Sequence, residues 1–353
     1  GEWDEAIYVK REGLLMLWRN FESLAKVPIR NRLKNGNLVP KEGAFILGCQ
    51  GVGDDILRLA IFRDLRNPDA KYGATCDPRL RTLFQNAMPE LELVCNSAVF
   101  GKFKKSEQTY IKDRDGVHPQ LDPARLTTEV LERIEDYPDI SLSEDFLYTF
   151  IERKGAFRSK DTSPILVPGA ESQVRVRERL AQLPPARANI GFSWRSGHRD
   201  AFRNKSYSEL KEWGAIFALK GVNFVNLQYQ FEQDELDEAE ELFGIKIHTL
   251  PGIDLKDDLE DLAAICMMLD AVVTPGTAVR EISAGSGART YSISSTPFYP
   301  DLYRMDEHGR DVIFPCMQHV TALHQGDTAG VLAEIARRLQ ADIDAKNSTE
   351  NPT

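Results

Sequence analysis

Short apolar runs alternate with amphipathic stretches along most of this chain, in two separate series. The first series reads strand 44–48, helix 55–66, strand 70–76, helix 78–86 and strand 91–95. The second opens on a strand at 189–194 and continues with helix 206–219, strand 222–228, helix 232–243 and strand 245–248. Helix 257–269, strand 271–274, helix 277–286 and strand 289–293 complete it. Strands that alternate with helices form parallel sheets covered on both faces. The pattern therefore predicts an α/β protein with two Rossmann-like, doubly wound domains. The 353 residues suit two domains of ordinary size.

The segments around these series set the expected boundaries. Residues 2–26 read as a helix, with Ile7, Leu14, Trp18, Phe21 and Ala25 on one face. Asn35-Gly36 and Pro40 end that lead-in. Residues 101–122 are polar and charged, and no regular element is expected there. Helices are predicted at 123–136 and 143–154, with a short strand over Asp139–Leu142 between them and another strand over Ile165–Val167. Helix 171–183 stops at Pro184-Pro185, taken as the domain boundary. The expected organisation is a helical lead-in, 1–35; a first domain, 36–185; a second domain, 186–325; a closing helix, 326–345; and a disordered polar tail, 346–353.

Composition excludes several classes. A formal net charge of −10 argues against a general nucleic-acid binder, whose footprint is a basic excess. No run approaches the roughly 18 apolar residues of a membrane span. The acidic opening Gly1-Glu2-Trp3-Asp4-Glu5 is unlike a signal peptide. Five cysteines, Cys49, Cys76, Cys95, Cys266 and Cys316, lie far apart without C-x-x-C spacing. They read as buried thiols of a cytoplasmic protein, and neither zinc nor another metal is expected.

Two turns carry the chemistry. In the first, 44–57, Gly51-Val52-Gly53 leads into Asp54 and Asp55 at a helix start. In the second, 270–282, Gly276, Thr277 and Ala278 present backbone amides and a hydroxyl at another. A helix N-terminus carries partial positive charge and unpaired N–H groups. The amide-rich turn suits a phosphate; the carboxylate-bearing turn does not. The first turn also lacks the third glycine of the dinucleotide fingerprint G-x-G-x-x-G. One half is thus suited to an anionic donor and the other to taking a proton from an acceptor, as in a two-lobed transferase.

The order of these segments resembles a known family. The Gly-Asp turn, Leu65-Arg66, 68–71 and the second strand resemble the N-terminal domain of heptosyltransferases, glycosyltransferase family 9. Segments Ile190–Gly197, Gly221–Tyr229, Asp254–Asp258 and Leu262–Val273 are similar to bacterial glycosyltransferases linked to tetratricopeptide repeats, including the O-GlcNAc transferase-like family 41. Gly1–Ile7 resembles the second helix of such a repeat. The resemblance covers 44–95 and 165–320. It implies a GT-B fold, with two Rossmann-like domains facing a cleft, a nucleotide-sugar donor on the second and a hydroxyl acceptor on the first. It further implies metal-independent transfer with inversion and no cofactor. The acceptor would be a protein or glycan, docked through N-terminal repeats.

Within that resemblance, Asp54 matches the general base, since a sugar hydroxyl is a poor nucleophile until a carboxylate accepts its proton. Helix capping is the competing role for Asp54 and Asp55. Gly276, Thr277 and Ala278 match the donor-phosphate turn. The family commonly has Asp and His where this chain has Gly276 and Glu281. Arg195 and Lys205 match the basic residue that neutralises the diphosphate, within a cluster that includes Arg199 and Arg203. Gln228 and Tyr229 end the next strand and border the base or ribose in this reading. Asp55 and His118 are further acceptor-side candidates. Two other readings remain open: a nucleotide-sugar epimerase on the same fold, and a transferase-like binding module without catalysis.

Overall fold

The computed structural model describes residues 39–48, 51–95, 112–113, 116–117, 128–143, 146, 158–197, 207–294, 304–322, 324 and 326–350. The lead-in helix, His118, the segment 198–206 with Lys205, and Cys49 lie outside the described residues. By contacts the chain divides into two compact units, Gly1–Arg81 with Pro89–Thr149, and Thr82–Met88 with Phe150–Thr353.

The first unit is built on a four-stranded sheet of order β3-β2-β1-β6. Its strands are β1 (Ala44–Leu47), β2 (Tyr72–Cys76), β3 (Glu92–Cys95) and β6 (Ile140–Leu142), all pairing in parallel. A two-stranded antiparallel pair, β4 (Lys112–Asp113) with β5 (Gly116–Val117), falls in the stretch expected to hold no regular element. Helix α1 (Val52–Leu65) links β1 to β2. It starts three residues earlier than the sequence pattern implies, because Gly51 supplies the N-cap. A 3₁₀ turn (Pro78–Leu80) runs into α2 (Arg81–Ala87), and α3 (Thr128–Ile134) precedes β6. Strands β1 and β2 are buried throughout, as parallel strands covered on both faces must be.

The second unit holds a six-stranded parallel sheet of order β12-β11-β10-β7-β8-β9. The strands are β7 (Ala188–Phe192), β8 (Val222–Asn226), β9 (Ile247–His248), β10 (Ala271–Pro275), β11 (Thr290–Ser294) and β12 (Met317–Thr321). Counted from its first strand this is the 3-2-1-4-5-6 order of a Rossmann sheet. Around it lie α4 (Ala170–Leu180), α5 (Gly214–Phe217), α6 (Gln233–Phe243), α7 (Leu259–Met268), α8 (Ala278–Gly285) and α9 (Thr328–Glu350). Phe192, Trp194, Trp213, Phe217 and Phe224 form an aromatic core on one face. Burial of such side chains contributes about 1.5–3 kcal/mol each.

Several expectations change. Ile165–Val167 is not a strand: its amides bond to Gly285 O and Leu83 O, not to a neighbouring strand. The helix predicted over 206–219 is, among its described residues, a 3₁₀ turn (Leu210–Glu212) and the single turn α5. Strand β12 was not foreseen, and α9 runs on to Glu350 through residues expected to be a disordered tail. Within the second unit α4, which precedes Pro184-Pro185, docks on α7: Arg175 Nη2 and Nε bond Asp261 at 2.6 and 2.8 Å, Ser172 Oγ bonds Asp261, and Gly169 N–H donates to Glu260 at 2.7 Å.

Candidate functional site

In an open α/β sheet, ligands bind beyond the carboxyl ends of the strands where the strand order reverses. In the second unit that point lies between β7 and β10. The residues following these two strands are Ser193–Gly197 and Gly276–Thr277, two of the segments singled out in the sequence. Ser193 N–H donates to Val273 O at 3.1 Å, and Ser193 Oγ shares a 2.7 Å hydrogen bond with Thr274 Oγ1. Thr274 Oγ1 lies 3.4 Å from Thr277 Oγ1. A chain of three hydroxyls thus crosses the point where the strand order reverses.

Thr277 is the N-cap of α8, with extended backbone, and its hydroxyl does not bond the helix amides. The Thr277 amide bonds Pro275 O at 2.7 Å and the Arg280 amide bonds Thr277 O at 3.0 Å, so the amides of Ala278 and Val279 are the ones of the first turn suited to a ligand. Gly276 lets the Arg280 side chain come close: a Cβ on it would lie 3.2 Å from Arg280 Nη1. The Arg280 guanidinium therefore lies across the turn, mostly buried, bonded to Glu281 Oε1 through Nε (2.9 Å) and Nη2 (2.8 Å), with Nη1 3.4 Å from Ser292 Oγ. Arg280 was not singled out in the sequence. Its only signal there was its place three residues after Thr277, one turn along the helix.

Glu281 occupies a different environment from the one its sequence position implied. Its carboxylate is buried and bonded by Arg304, Nη1 to Oε1 at 2.9 Å and Nη2 to Oε2 at 3.1 Å. Arg304 Nε continues to Asp311 Oδ2 at 2.8 Å, and His319 Nε2 meets the same oxygen at 2.8 Å. Asp311 Oδ1 accepts the amides of Ile313 and Phe314, each at 2.8 Å. Burial alone would raise both carboxyl groups, but the charges of Arg304 and Arg280 hold Glu281 below its ordinary range. Arg304 and the hydrogen bond from His319 do the same for Asp311. Glu281 thus anchors α8 to the segment 304–319, with Oε1 accepting from Arg280 and Arg304 and Oε2 from Arg304.

Arg195 is likewise committed. Nη1 donates to Gln230 O at 2.8 Å, Nη2 pairs with Glu235, and the guanidinium lies 5.5 Å from the Trp194 ring centre. Glu235 Oε2 also accepts the Glu232 amide in the capping box of α6. Arg195 therefore ties the end of β7 to the start of α6, and only a tenth of its side chain is exposed. Gln228 is fully buried; Oε1 accepts the amides of Trp194 and Arg195 at 3.3 and 3.1 Å. Tyr229 Oη accepts the Gly197 amide at 2.7 Å. Both shape the loop after β7.

In the first unit, the order β3-β2-β1-β6 reverses between β1 and β6. Helix α1 begins at the carboxyl end of β1, and its amides at 54 and 55 both bond Gly51 O. Gly51 being the N-cap, neither Asp54 nor Asp55 is the cap residue. The helix separates them. The Asp54 side chain is 43% exposed and lies 3.7 Å from the buried Arg58 guanidinium. Asp55 is 5% exposed. Asp55 Oδ1 would lie 2.9 Å from a Cβ on Gly48, whose amide donates to Thr75 Oγ1 at 2.7 Å. Of the two carboxylates, Asp54 is the exposed one. Among the described residues no group of His, Cys, Asp and Glu is placed to hold a metal ion. None of the described helices is long and apolar enough to cross a membrane.

No protein-family model matches the chain. Protein FlbA of Caulobacter vibrioides is 26% identical over 264 residues, 71% of this chain and 40% of FlbA. The chain thus spans about two-fifths of the length of that relative. The glycosyl transferase family 9 structure from Veillonella parvula aligns with a TM-score of 0.55 at 13% identity, over 88% of this chain and 99% of its own. E. coli ADP-heptose lps heptosyltransferase II aligns at 0.49 and 13% identity, over 86% of this chain and 98% of its own. The likeness to the Veillonella structure shows the fold: two Rossmann-like domains of the GT-B type, as the sequence implied.

Proposed function

We propose that this chain is a glycosyltransferase that moves a sugar from a nucleotide-activated donor to a hydroxyl of a protein or glycan acceptor. The observation that carries this reading is the turn at Gly276–Thr277. It sets helix amides and the Arg280 guanidinium at the point where the order of a Rossmann sheet reverses. The GT-B fold supports it, and so does the family 9 name of the Veillonella structure.

In this mechanism the acceptor hydroxyl gives its proton to Asp54, and its oxygen attacks the anomeric carbon. The bond from that carbon to the donor phosphate breaks with inversion. Negative charge then grows on the leaving phosphate. The α8 amides and Arg280 meet it, a preorganised arrangement that stabilises the transition state more than water does. No divalent ion is needed for that charge in this mechanism. Lys205 adds a second cation.

Glu281 favours a second reading, a transferase-like binding module without turnover, because the residue in the family's histidine place is committed to Arg304. One experiment separates the readings. Purified protein is screened against nucleoside diphosphates by thermal shift, and against nucleotide sugars with released nucleotide measured. A raised melting temperature with turnover supports the transferase. Binding without turnover supports the module. No shift with any nucleotide overturns both.

A further inference from the structure

Cys76 ends β2 and Cys95 ends β3, and the two are register partners on adjacent parallel strands. The sequence had suggested scattered thiols; the fold brings these two together. Neighbouring strands lie about 4.8 Å apart, and partner side chains leave the same face of the sheet. That spacing falls within the roughly 4.4–6.8 Å Cα separation that a disulfide spans. Both thiols are free, and they hydrogen-bond to each other.

The two are chemically unequal. Cys95 is half-buried, with Arg81 beside it. The hydrogen bond from Cys76, helped by the Arg81 charge, brings the Cys95 thiol down to about 7, with burial and Glu129 opposing. Cys76 is buried, and its bond to Cys95, its burial and the charges of Cys95, Asp55 and Asp77 push its thiol up. An accessible thiolate next to a buried partner thiol is the arrangement of an attacking and a resolving cysteine.

We propose that Cys95 and Cys76 form a reversible intramolecular disulfide by exchange with a low-molecular-weight disulfide such as oxidised glutathione. The Cys95 thiolate attacks one sulfur of that disulfide. The S–S bond breaks, one glutathione thiolate leaves, and a mixed disulfide forms on Cys95. Cys76 then gives its proton to solvent, and its sulfur attacks Cys95 Sγ, expelling the second glutathione. Two protein thiols are oxidised and one glutathione disulfide is reduced to two thiols. Adjacency makes the second step effectively unimolecular.

The test uses the whole chain, reduced and then equilibrated with oxidised glutathione, with activity playing no part in the readout. Denatured thiol counting should fall from the five cysteines of the chain to three. Non-reducing peptide mapping should link the peptides of Cys76 and Cys95, and excess dithiothreitol should restore all thiols. Cys76→Ser should stop at one stable glutathione adduct on Cys95, and Cys95→Ser should leave Cys76 unmodified. Unchanged thiol counts, a link through Cys49 instead, or a stable Cys95 adduct in the wild-type chain would each overturn the proposal. Mapping of the wild-type chain decides the matter even if a variant fails to fold.

Discussion

Ser193 and Thr274, 81 residues apart, share a 2.7 Å hydrogen bond at the one place in the second sheet where the strand order reverses. Parallel strands on either side of such a point are followed by helices on opposite faces, which opens a crevice there. The hydroxyl pair fixes the spacing of the two loops that border the crevice. It also holds Thr277 at the head of α8, through Thr274, with the Thr277 hydroxyl not bonded to the helix amides.

The two arginines near this point should behave differently. Arg280→Ala should weaken nucleoside diphosphate binding roughly tenfold to a hundredfold, the value of a charge-assisted hydrogen bond to phosphate. Arg195→Ala should chiefly lower the melting temperature, because its donors serve Gln230 O and Glu235. Calorimetric titration beside thermal melts of both variants reads this directly. A large affinity loss in Arg195→Ala with none in Arg280→Ala would reverse the assignment.

Asp54→Asn should leave donor binding unchanged and lower turnover by ~10²–10⁴-fold, the range for loss of a general base. Since Gly51 caps α1, no cap is lost; the structural cost should be the helix-dipole contribution, about 0.3–1 kcal/mol, together with the charge facing the buried Arg58 guanidinium 3.7 Å away. Asp55→Asn, at a buried carboxylate beside Gly48, should instead destabilise the fold. Turnover of Asp54→Asn within a few-fold of wild type would remove Asp54 from catalysis.

The buried carboxylates predict an acid limit. Glu281 and Asp311 have lowered values in the folded protein, against ordinary values of 4.5 and 3.8. A carboxyl lowered on folding stabilises fully above its unfolded value, and that contribution is lost as pH falls towards its folded value. Melting temperature should stay level from pH 7 to about 5 and fall steadily below about 4.5. Glu281→Gln should cost about 3–5 kcal/mol at neutral pH, because it leaves Arg304 buried beside an uncharged partner. It should also flatten the acid slope. An unchanged melting profile for the variant would show the network to be energetically idle.

Chelation gives a further check. If Arg280 and the α8 amides meet the phosphate charge as proposed, transfer should persist in excess EDTA. Activity lost in chelator and restored by magnesium or manganese would assign that charge to a metal ion.

The alternation of strands and helices was legible because parallel strands buried on both faces read as short apolar runs, as in Ala44–Leu47 and Ala271–Pro275. Strand β12 escaped because Met317–Thr321 carries Gln318, which the sheet edge tolerates, and His319, which is buried against Asp311. Ile165–Val167 looked like a strand for the same reason that true strands do; only the absence of a neighbouring strand tells them apart. The site was half legible. Glycine, threonine and paired carboxylates mark turns locally, so the helix starts at Gly276–Thr277 and Gly51–Asp55 could be read. The pairings of Arg195 with Glu235 and Glu281 with Arg304 join residues 40 and 23 positions apart. Nothing local announces them.

The ion pairs that run from Arg280 through Glu281 and Arg304 to Asp311 also constrain how this chain can change over generations. A single exchange at Glu281, even to the histidine common in the resembled family, would take from the buried Arg304 one of the two carboxylates it bonds. Positions 281, 304 and 311 should therefore vary together or not at all. A Gly276–Thr277 turn replaced by one from another protein of this fold would have to bring its own counterpart of 304–319 with it. The unit of inheritance at this site is the pair of segments, not the turn.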